Sequence, residues 1–562
     1  MFSETSRSLS RALLAALLVA GCSAPSEAPP TPSTGMEEDG PLGPSSVDTE
    51  EHQPFGSTAT HRDIQCGSTQ CTLTISAGGY RSLDGTATSV SPGSRICLAT
   101  GQMTGLVLKN LHGTAAQPIE VVNCNGEVLI APTATVTSNG FVVEGSSHLK
   151  ITGTGHTGST YGIKISQTKS QGLYLTSLST NIEVDHLEIS QTGFAGIMAK
   201  TDPKCDGYGT RGTFTMRGIH IHDNKIHHTR GEGLYIGSTN YNSGISCTGG
   251  QKYPHDLIGV RIYRNHIHDT DSDGFQVGCA IQDVEVYDNL VEDYALKPFD
   301  LYQDNGIQIG DGTTGKWFNN VIRRGPGNAF IVKGLGNISV FNNLAEDTAG
   351  IYVHNAIPAN AEVALLNNTF IKTKARGIEV AEPDAPVKVH NNIMVPLAGV
   401  TPLKKSAKTV ESHNLFNQDI NYFAFVNAAA GDYHLTAGSP ARNAGLNVST
   451  YLTFDWEYEA RNDGAYDIGA DEYVASGNTV FSQDFQSSTT VGAYVNATSP
   501  GVGQFNDISA EATGGSWSIN GGRLQLVRTG SSATDNDAGV TRWTDFAGPP
   551  TVLHVSFDVG VS

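Results

Sequence analysis

Carboxyl side chains recur at one position of consecutive, similar segments in the middle of the chain. The residue before the glycine that opens a short apolar alternation is Glu232 in IHIHDNKIHHTRGEGLYIG (219–237) and Asp273 in VRIYRNHIHDTDSDGFQVG (260–278). In VEVYDNLVEDYALKPFDLYQDNGIQIG (284–310) it is Asn305, and Asn328 follows in the next segment. If such segments stack as equivalent strands, neighbours lie about 4.8 Å apart. Glu232 and Asp273 would then adjoin, and two carboxylates that close repel, which raises a pKa or recruits a cation. Asp271 and Asp304 lie in the same or adjacent bends, with Asp300 and Asn305. One expectation is therefore a calcium ion held by Glu232, Asp273, Asp271 and Asp304. A second is a retaining pair of a glycoside hydrolase, whose carboxyls need about 5 Å. The plainer reading is an acidic rim of turn-forming residues.

The elements that would place these residues are strands. Each segment reads as an apolar alternation, an Asn, a polar bend, then Gly and a second alternation. Period-two alternation means strands with one buried face, and repetition of the phrase means a solenoid. Asn224, Asn265, Asn289, Asn320, Asn343, Asn368 and Asn392 mark the register, with His186 standing in one coil earlier. The steps are 38, 41, 24, 31, 23, 25 and 24 residues, so one coil is about 24 residues and longer steps carry bend insertions. Stacked Asn side chains would hydrogen-bond as a ladder. They are structural and leave the list of catalytic candidates. Leu234 with Ile236, Phe275 with Val277, Ile307 with Ile309 and Phe330 with Val332 point inward. Tyr235, Gln276 and Gln308 point out. His227, His228, Arg230, His266, His268, Lys297 and Arg323 fall in the bends, and Lys200 and Lys333 follow second strands.

Composition agrees with an all-β chain. Of 562 residues only 16% are charged and 64 are Gly, a usage that favours strands and tight turns over helices. A formal net charge of −20 argues against a nucleic-acid partner. It leaves a polysaccharide partner open, because local charge can differ from the sum. Residues 1–22 read as a targeting segment: Arg7 and Arg11, a short apolar run from Leu13 to Val19, then VAGC. Residues 23–62, rich in Pro, Ser and acid, read as a disordered tether. Residues 63–475 would form the helix with its terminal cap, and 476–562 a partial antiparallel β-sandwich, signalled by GSWSINGGRLQLVRTG and its neighbours. Export makes disulfides plausible. Beyond Cys22 seven cysteines remain, so one is left over; Cys205 and Cys247, both in long Gly-rich bends, are the favoured pair.

Several stretches resemble known families. VAGC resembles the lipobox of bacterial lipoproteins, which implies lipidation of Cys22 and a membrane held only through that anchor, on the outer membrane or cell surface. Pro92-Gly93-Ser94-Arg95-Ile96-Cys97-Leu98 and Gly113-Thr114 with Pro118-Ile119-Glu120-Val121 resemble the opening coils of secreted right-handed parallel β-helix proteins of the pectin/pectate lyase-like fold. Chondroitinase B and alginate lyases are among them. Gly438-Ser439-Pro440-Ala441 and Asp467-Ile468-Gly469-Ala470-Asp471-Glu472 resemble a tail that follows many bacterial β-helices. Its acidic run is read as a hydrogen-bonded cap on the last edge, with a metal site as the alternative. The C-terminal strands resemble a jelly-roll module.

The lyase resemblance implies a substrate and a set of roles. It suggests a monomer acting on an acidic polysaccharide by β-elimination at a uronate. Calcium would neutralise the sugar carboxylate and Lys or Arg would take the C5 proton. Lys297 and Arg230 are the candidate bases, His228 and His268 the alternatives, and Tyr235 or Tyr302 the acid. Gln276, Gln308, Tyr302 and Lys333 would contact substrate. The motifs depart from the family's. Gly231-Glu232-Gly233-Leu234 keeps only the first acid of the chondroitinase B-like element, and Ser238-Thr239 stands where its Lys would be. Asp271-Ser272-Asp273-Gly274 resembles one polygalacturonase element, but the others are missing, as is the mannuronan epimerase motif. The competing expectations are a non-catalytic glycan-binding or adhesive surface protein and a hydrolase using Glu232 and Asp273.

Overall fold

The computed structural model describes residues 60–132, 138–354, 357–461 and 465–474, together with strands Asp507–Ala510, Gly515–Asn520, Arg523–Arg528 and Ala538–Thr541. The proposed signal, Cys22 and most of the tether lie outside the described residues.

Between Leu73 and Phe416 the chain winds as a parallel β-helix of three sheets. One coil shows the plan. Asp256–Tyr263 lies in the first sheet, His266–Thr270 in the second and Phe275–Val277 in the third. Each strand pairs in parallel with its counterpart one coil away, Val260 with Val284 and Phe275 with Ile307, for example. Near the start the first and second sheets merge, because the long strand Ile119–Ile130 turns the corner and pairs with both Ser147–Thr152 and Ile163–Thr168. The core is the inward alternation: Ile219, Ile226, Leu234, Phe275, Ile307 and Phe330 are all fully buried.

The three-strand coil corrects the expected phrase. The segment between the Asn and the Gly is not a bend throughout; it begins with the second-sheet strand, Lys225–Thr229 in one coil and His266–Thr270 in the next. Three or four residues of alternation are too few to stand out from a turn.

The Asn ladder runs from Asn224 to Asn414, one coil beyond the last expected rung. Asn224 Nδ2 donates to Asn265 Oδ1 at 3.0 Å, Asn320 Nδ2 to Asn343 Oδ1 at 3.0 Å, and Asn392 Nδ2 to Asn414 Oδ1 at 2.9 Å. Each Oδ1 also accepts the backbone N–H of the previous Asn, as Asn320 Oδ1 does from Asn289 at 3.2 Å. His186 is not a rung. The backbone N–H of Leu187, not of His186, donates to Asn224 Oδ1. The residue before each rung is left-handed (Asp223, Arg264, Asp288, Asn319, Asn342, Asn367, Asn391 and His413, φ 51–59°). Asp and Asn tolerate that region, which accounts for the Asn-Asn and Asp-Asn doublets.

The cysteines staple the start of the helix. Cys66 pairs with Cys124 and Cys71 with Cys97, around buried Ile64 and Val122. Cys205 pairs with Cys247 as expected, and buried Cys279 is the one left over.

The tail does not cover the last edge as expected. The final strands Thr401–Lys404 and Thr409–Ser412 keep exposed residues, whereas the tail runs back along the side of the helix. Phe423, Tyr433, Leu435 and Ile468 pack on Val321, Leu344, Ile371 and Ile393 of the second sheet. Val448, Leu452 and Tyr466 pack on the stacked Tyr263, Tyr287, Phe318 and Phe341 at the corner of the first sheet. Its acidic run is hydrogen-bonded, as read. Asp467 Oδ2 accepts from Tyr473 N at 2.7 Å, Asp471 Oδ2 from Leu435 N at 2.6 Å, and Glu472 pairs with buried Arg461 at 2.7 Å. Beyond the tail, Gly515–Asn520 and Arg523–Arg528 form the expected hairpin, and Asp507–Ala510 pairs antiparallel with Ala538–Thr541.

Candidate active site

The residues able to do chemistry gather where the chain turns from the second sheet into the third. A Thr ends the second strand in successive coils, and its hydroxyl donates to the carbonyl two residues on: Thr192 to Phe194 at 2.9 Å, Thr229 to Gly231 at 3.0 Å, Thr270 to Ser272 at 2.8 Å. That bond shapes the turn. Gly233 and Gly274 follow because there is no room for more. A Cβ on Gly233 would stand 2.6 Å from Gly274 O and 2.5 Å from Ile267. The residue between the turn and the glycine is thereby held in column with its counterpart in the next coil.

That column is Glu232, Asp273, Asn305 and Asn328, as the spacing suggests. Glu232 is completely shielded from solvent and Asp273 is 1% exposed. Asp273 Oδ1 accepts from Asn305 N at 2.8 Å and Asn305 Nδ2 at 3.1 Å. Asn328 Nδ2 donates to Asn305 Oδ1 at 2.8 Å, and Arg376 Nη1 to Asn328 Oδ1 at 2.7 Å. Glu232 Oε1 accepts from Gln303 Nε2 at 3.1 Å, while buried Oε2 has no hydrogen-bond partner among the described residues. Burial pushes the Glu232 carboxyl up to about 7; its own backbone N–H and then Lys200 oppose this, and Asp300 adds to it. Burial also raises Asp273 well above the usual carboxylate range; the Asn305 donors oppose this and neighbouring Glu232 adds to it. Such shifts are what acid–base chemistry at neutral pH requires.

Beside the column runs the outer face of the third sheet. Register places Tyr174, Met198, Tyr235, Gln276, Gln308, Ile331, Tyr352 and Glu379 in one outward row. Gln308 Nε2 donates to Gln276 Oε1 at 2.8 Å. Lys200 Nζ lies 4.9 Å from the centre of the Tyr235 ring and 2.9 Å from Asp202. Lys333 lies 3.7 Å from Asp311, and Arg376 lies 2.7 Å from Glu379. The bend 294–305 stands on the other side. Its Phe299 approaches Phe194, and Arg230 lies over the Phe299 ring. Leu301 and Tyr302 are 87% and 76% exposed at its tip.

The structure sorts the expected residues into three groups. Glu232, Asp273, Tyr235, Gln276 and Gln308 come together, and Lys333 borders the same face. Lys297 and Tyr302 are exposed on the bend, with Arg230 also exposed at its foot. His228 and His268 belong elsewhere, since their strands form the second sheet. His227 stacks on His268 with centroids 4.9 Å apart, and His268 Nδ1 lies 2.7 Å from Asp269. The expected cation ligands do not form a ready chelate either. Three sets of acid, imidazole or thiol groups bring donor atoms within 4.8 Å of one another among the described residues, and none contains Glu232, Asp273, Asp271 or Asp304. Asp271 instead uses its backbone, accepting from Lys297 N at 2.9 Å, and Asp304 is half-buried with its carboxyl raised by burial. The three sets are Cys71, Cys97 and Cys124, already in disulfides; Glu183, Asp185 and His222; and His434, Glu457 and Asp471. Sequence reasoning missed Gln303 and Arg376. Gln303 sits in an insertion outside the repeat, where no periodicity points to it. A separate concavity of about 490 Å³, lined by Arg62, Arg95, Glu120 and Lys150 among others, lies on the first sheet, where those charges pair with one another or with Glu183.

Comparison with known proteins bears on the fold. Residues 243–415 match a family model described as a right handed beta helix region. No curated protein matches the sequence. Solved structures with similar folds include the pectate lyase Pel9A, at 15% identity and a TM-score of 0.42 over 71% of this chain and 98% of that one. A GH136 lacto-N-biosidase from Eubacterium ramulus matches at 14% and 0.42, over 59% and 63% of the two chains. An alginate lyase from Paenibacillus sp. str. FPU-7 matches at 17% and 0.32, over 61% and 99%.

Proposed function

We propose that this right-handed parallel β-helix protein is carbohydrate-active, and that it cleaves a polysaccharide along the outer face of the third sheet by hydrolysis at Glu232 and Asp273. One observation carries the reading. A carboxyl that burial pushes up to about 7, with one oxygen unpartnered among the described residues, stands one coil from a second carboxyl at the edge of a row of Tyr and Gln side chains. Glu232 would give its proton to the glycosidic oxygen as the C1–O bond breaks. Asp273, whose charge the two Asn305 donors favour, would attack C1 as carboxylate. Water would then hydrolyse the glycosyl ester with Glu232 taking back the proton, the scheme that a separation of about 5 Å suits. One proton shared between the two acids would be the working state. Sugar would reach Glu232 only after part of its present cover moved aside.

Calcium-assisted β-elimination at a uronate is the second reading. The cations on the same face (Lys200, Lys333 and Arg376) favour it, as they suit an acidic chain. Against it, Lys200 is held more firmly protonated than usual by Tyr235 and Asp202, although burial opposes them, and a base needs the reverse. As an exported lipoprotein anchored through Cys22, the protein would meet such chains outside the cell. Incubating it with panels of neutral and acidic polysaccharides, with and without EDTA, separates the readings. Hydrolysis releases reducing ends without the ultraviolet absorbance of an unsaturated uronate, and Glu232→Gln abolishes the release. Absorbance that EDTA removes would replace hydrolysis with elimination. Binding without product would leave a glycan-binding surface protein.

A further inference from the structure

The two oxygens of Glu232 are treated differently by their surroundings, and the difference is made by Gln303. Oε1 accepts from Gln303 Nε2 at 3.1 Å; Oε2 is buried and receives nothing from the described residues. The Gln303 amide is itself oriented, because its oxygen faces the hydroxyl of completely buried Ser272 at 3.5 Å. The bend that carries Gln303 is held at both ends. Tyr294 is fully buried, and its hydroxyl donates towards Gly327 O and Asn328 O at 3.2 and 3.0 Å. The next three backbone amides, of Ala295, Leu296 and Lys297, donate to the carbonyls of Ser272, Thr270 and Asp271 at 2.9, 3.0 and 2.9 Å. At the other end Asn305 is bound to Asp273. Gln303 is therefore placed by the helix scaffold even though the tip at Leu301 and Tyr302 is exposed.

We propose that Gln303 is a positioning residue for Glu232: by donating to Oε1 it makes Oε1 the acceptor oxygen and leaves Oε2 as the oxygen that gives a proton to a ligand. The chemistry is that of any carboxylic acid. It has one carbonyl oxygen and one hydroxyl, and a donor aimed at one oxygen selects the other for the proton. The first acceptor that the Oε2 proton meets is then one brought by the sugar. This rests on the reading of Glu232 as an acid, but the bond from Gln303 exists in the resting protein and can be examined there.

The test uses infrared spectra of the whole protein at about pH 6, where Glu232 is neutral. The carbonyl band of its carboxyl is the band lost in Glu232→Gln. In Gln303→Leu, and in Gln303→Met as a second apolar variant, that band shifts to higher frequency because its hydrogen bond is gone. With a substrate in hand, kcat falls about ten-fold, within what a positioned general acid contributes, while KM changes little. The basic limb of kcat/KM moves to higher pH, because a donor to a carboxyl favours its charged form and has been removed. A side chain that only covers the acid would leave the band and the pH limb in place. An unshifted band overturns the proposal whether or not any glycan is cleaved. A shifted band in a protein that cleaves no glycan upholds the placement of Gln303 and removes only the hydrolytic reading.

Discussion

Two columns of side chains, built by the same coil spacing, reach opposite electrostatic outcomes. On the outer face of the first sheet, register aligns Arg95, Glu120, Lys150, Glu183, His220, Arg261, Glu285 and Lys316. Signs alternate except at His220, which burial and Arg261 shift towards its neutral form, so nearly every charge has an opposite charge one coil away, at about 4.8 Å. Glu183 is held down at about 2, because bonds and charges from His222 and Lys150 outweigh its burial, and Lys150 is raised by Asp185 and Glu183 despite its own burial. At the entrance to the third sheet the same spacing sets Glu232 against Asp273, both shielded from water, and both carboxyls rise. The spacing is common; the choice of residue at each rung decides whether it stabilises or strains. A strained, buried acid that the fold gains nothing by keeping is the better candidate for chemistry.

Glu232→Gln is expected to lower glycan hydrolysis by about 10²- to 10⁴-fold, the range for a general acid, without loss of folded protein by circular dichroism. Equal turnover by wild type and variant would remove the acid from the site.

The next largest effect is on stability against pH. A carboxyl raised from 4.5 to about 7 on folding keeps its proton longer in the folded state. Its contribution is neutral below the unfolded value and becomes destabilising as pH rises through the folded one. At 1.36 kcal/mol per unit this is about 3 kcal/mol lost between pH 4.5 and 7.5. Thermal unfolding of wild type and Glu232→Gln should therefore diverge on going from pH 5 to pH 8, with wild type falling further. Parallel curves would mean that Glu232 is not raised.

A neutral column supplies the reference. Asn320→Ala strips the acceptor from both the backbone N–H and the Nδ2 of buried Asn289. A cost of about 2–3 kcal/mol in denaturant unfolding is expected, with no change in the pH dependence. The smallest effect belongs to the charge ladder. Glu183→Gln should cost about 1 kcal/mol, since the pair with Lys150 is only partly buried. The loss should be present above pH 4.5 and fade as pH falls towards 2, opposite in sign to the Glu232 effect. The same sign in both would erase the contrast between the columns.

What could be read from the chain alone followed from its repeats. A repeated phrase with a constant rise brings equal positions together, so the Asn ladder, the inward aliphatic rows, the Glu232–Asp273 column and the Gln276–Gln308 pair were all legible from spacing. The pairing of Gly515–Asn520 with Arg523–Arg528 was legible from the Gly-Gly in the sequence between them. Tertiary structure decided whatever depended on direction or on insertions. A strand as short as Lys225–Thr229 carries little periodicity, so only the closed coil shows that His228 and His268 belong to the second sheet. His186 fell one residue off the ladder because that coil has no Asn at the rung. The pairing of Cys66 with Cys124 and Cys71 with Cys97, the tail lying along the side of the helix, and Gln303 set on Glu232 all join residues remote in sequence by no regular step. No local pattern encodes such contacts, and they exist because the folded helix offers a buried acid, or an apolar side, for a passing segment to meet.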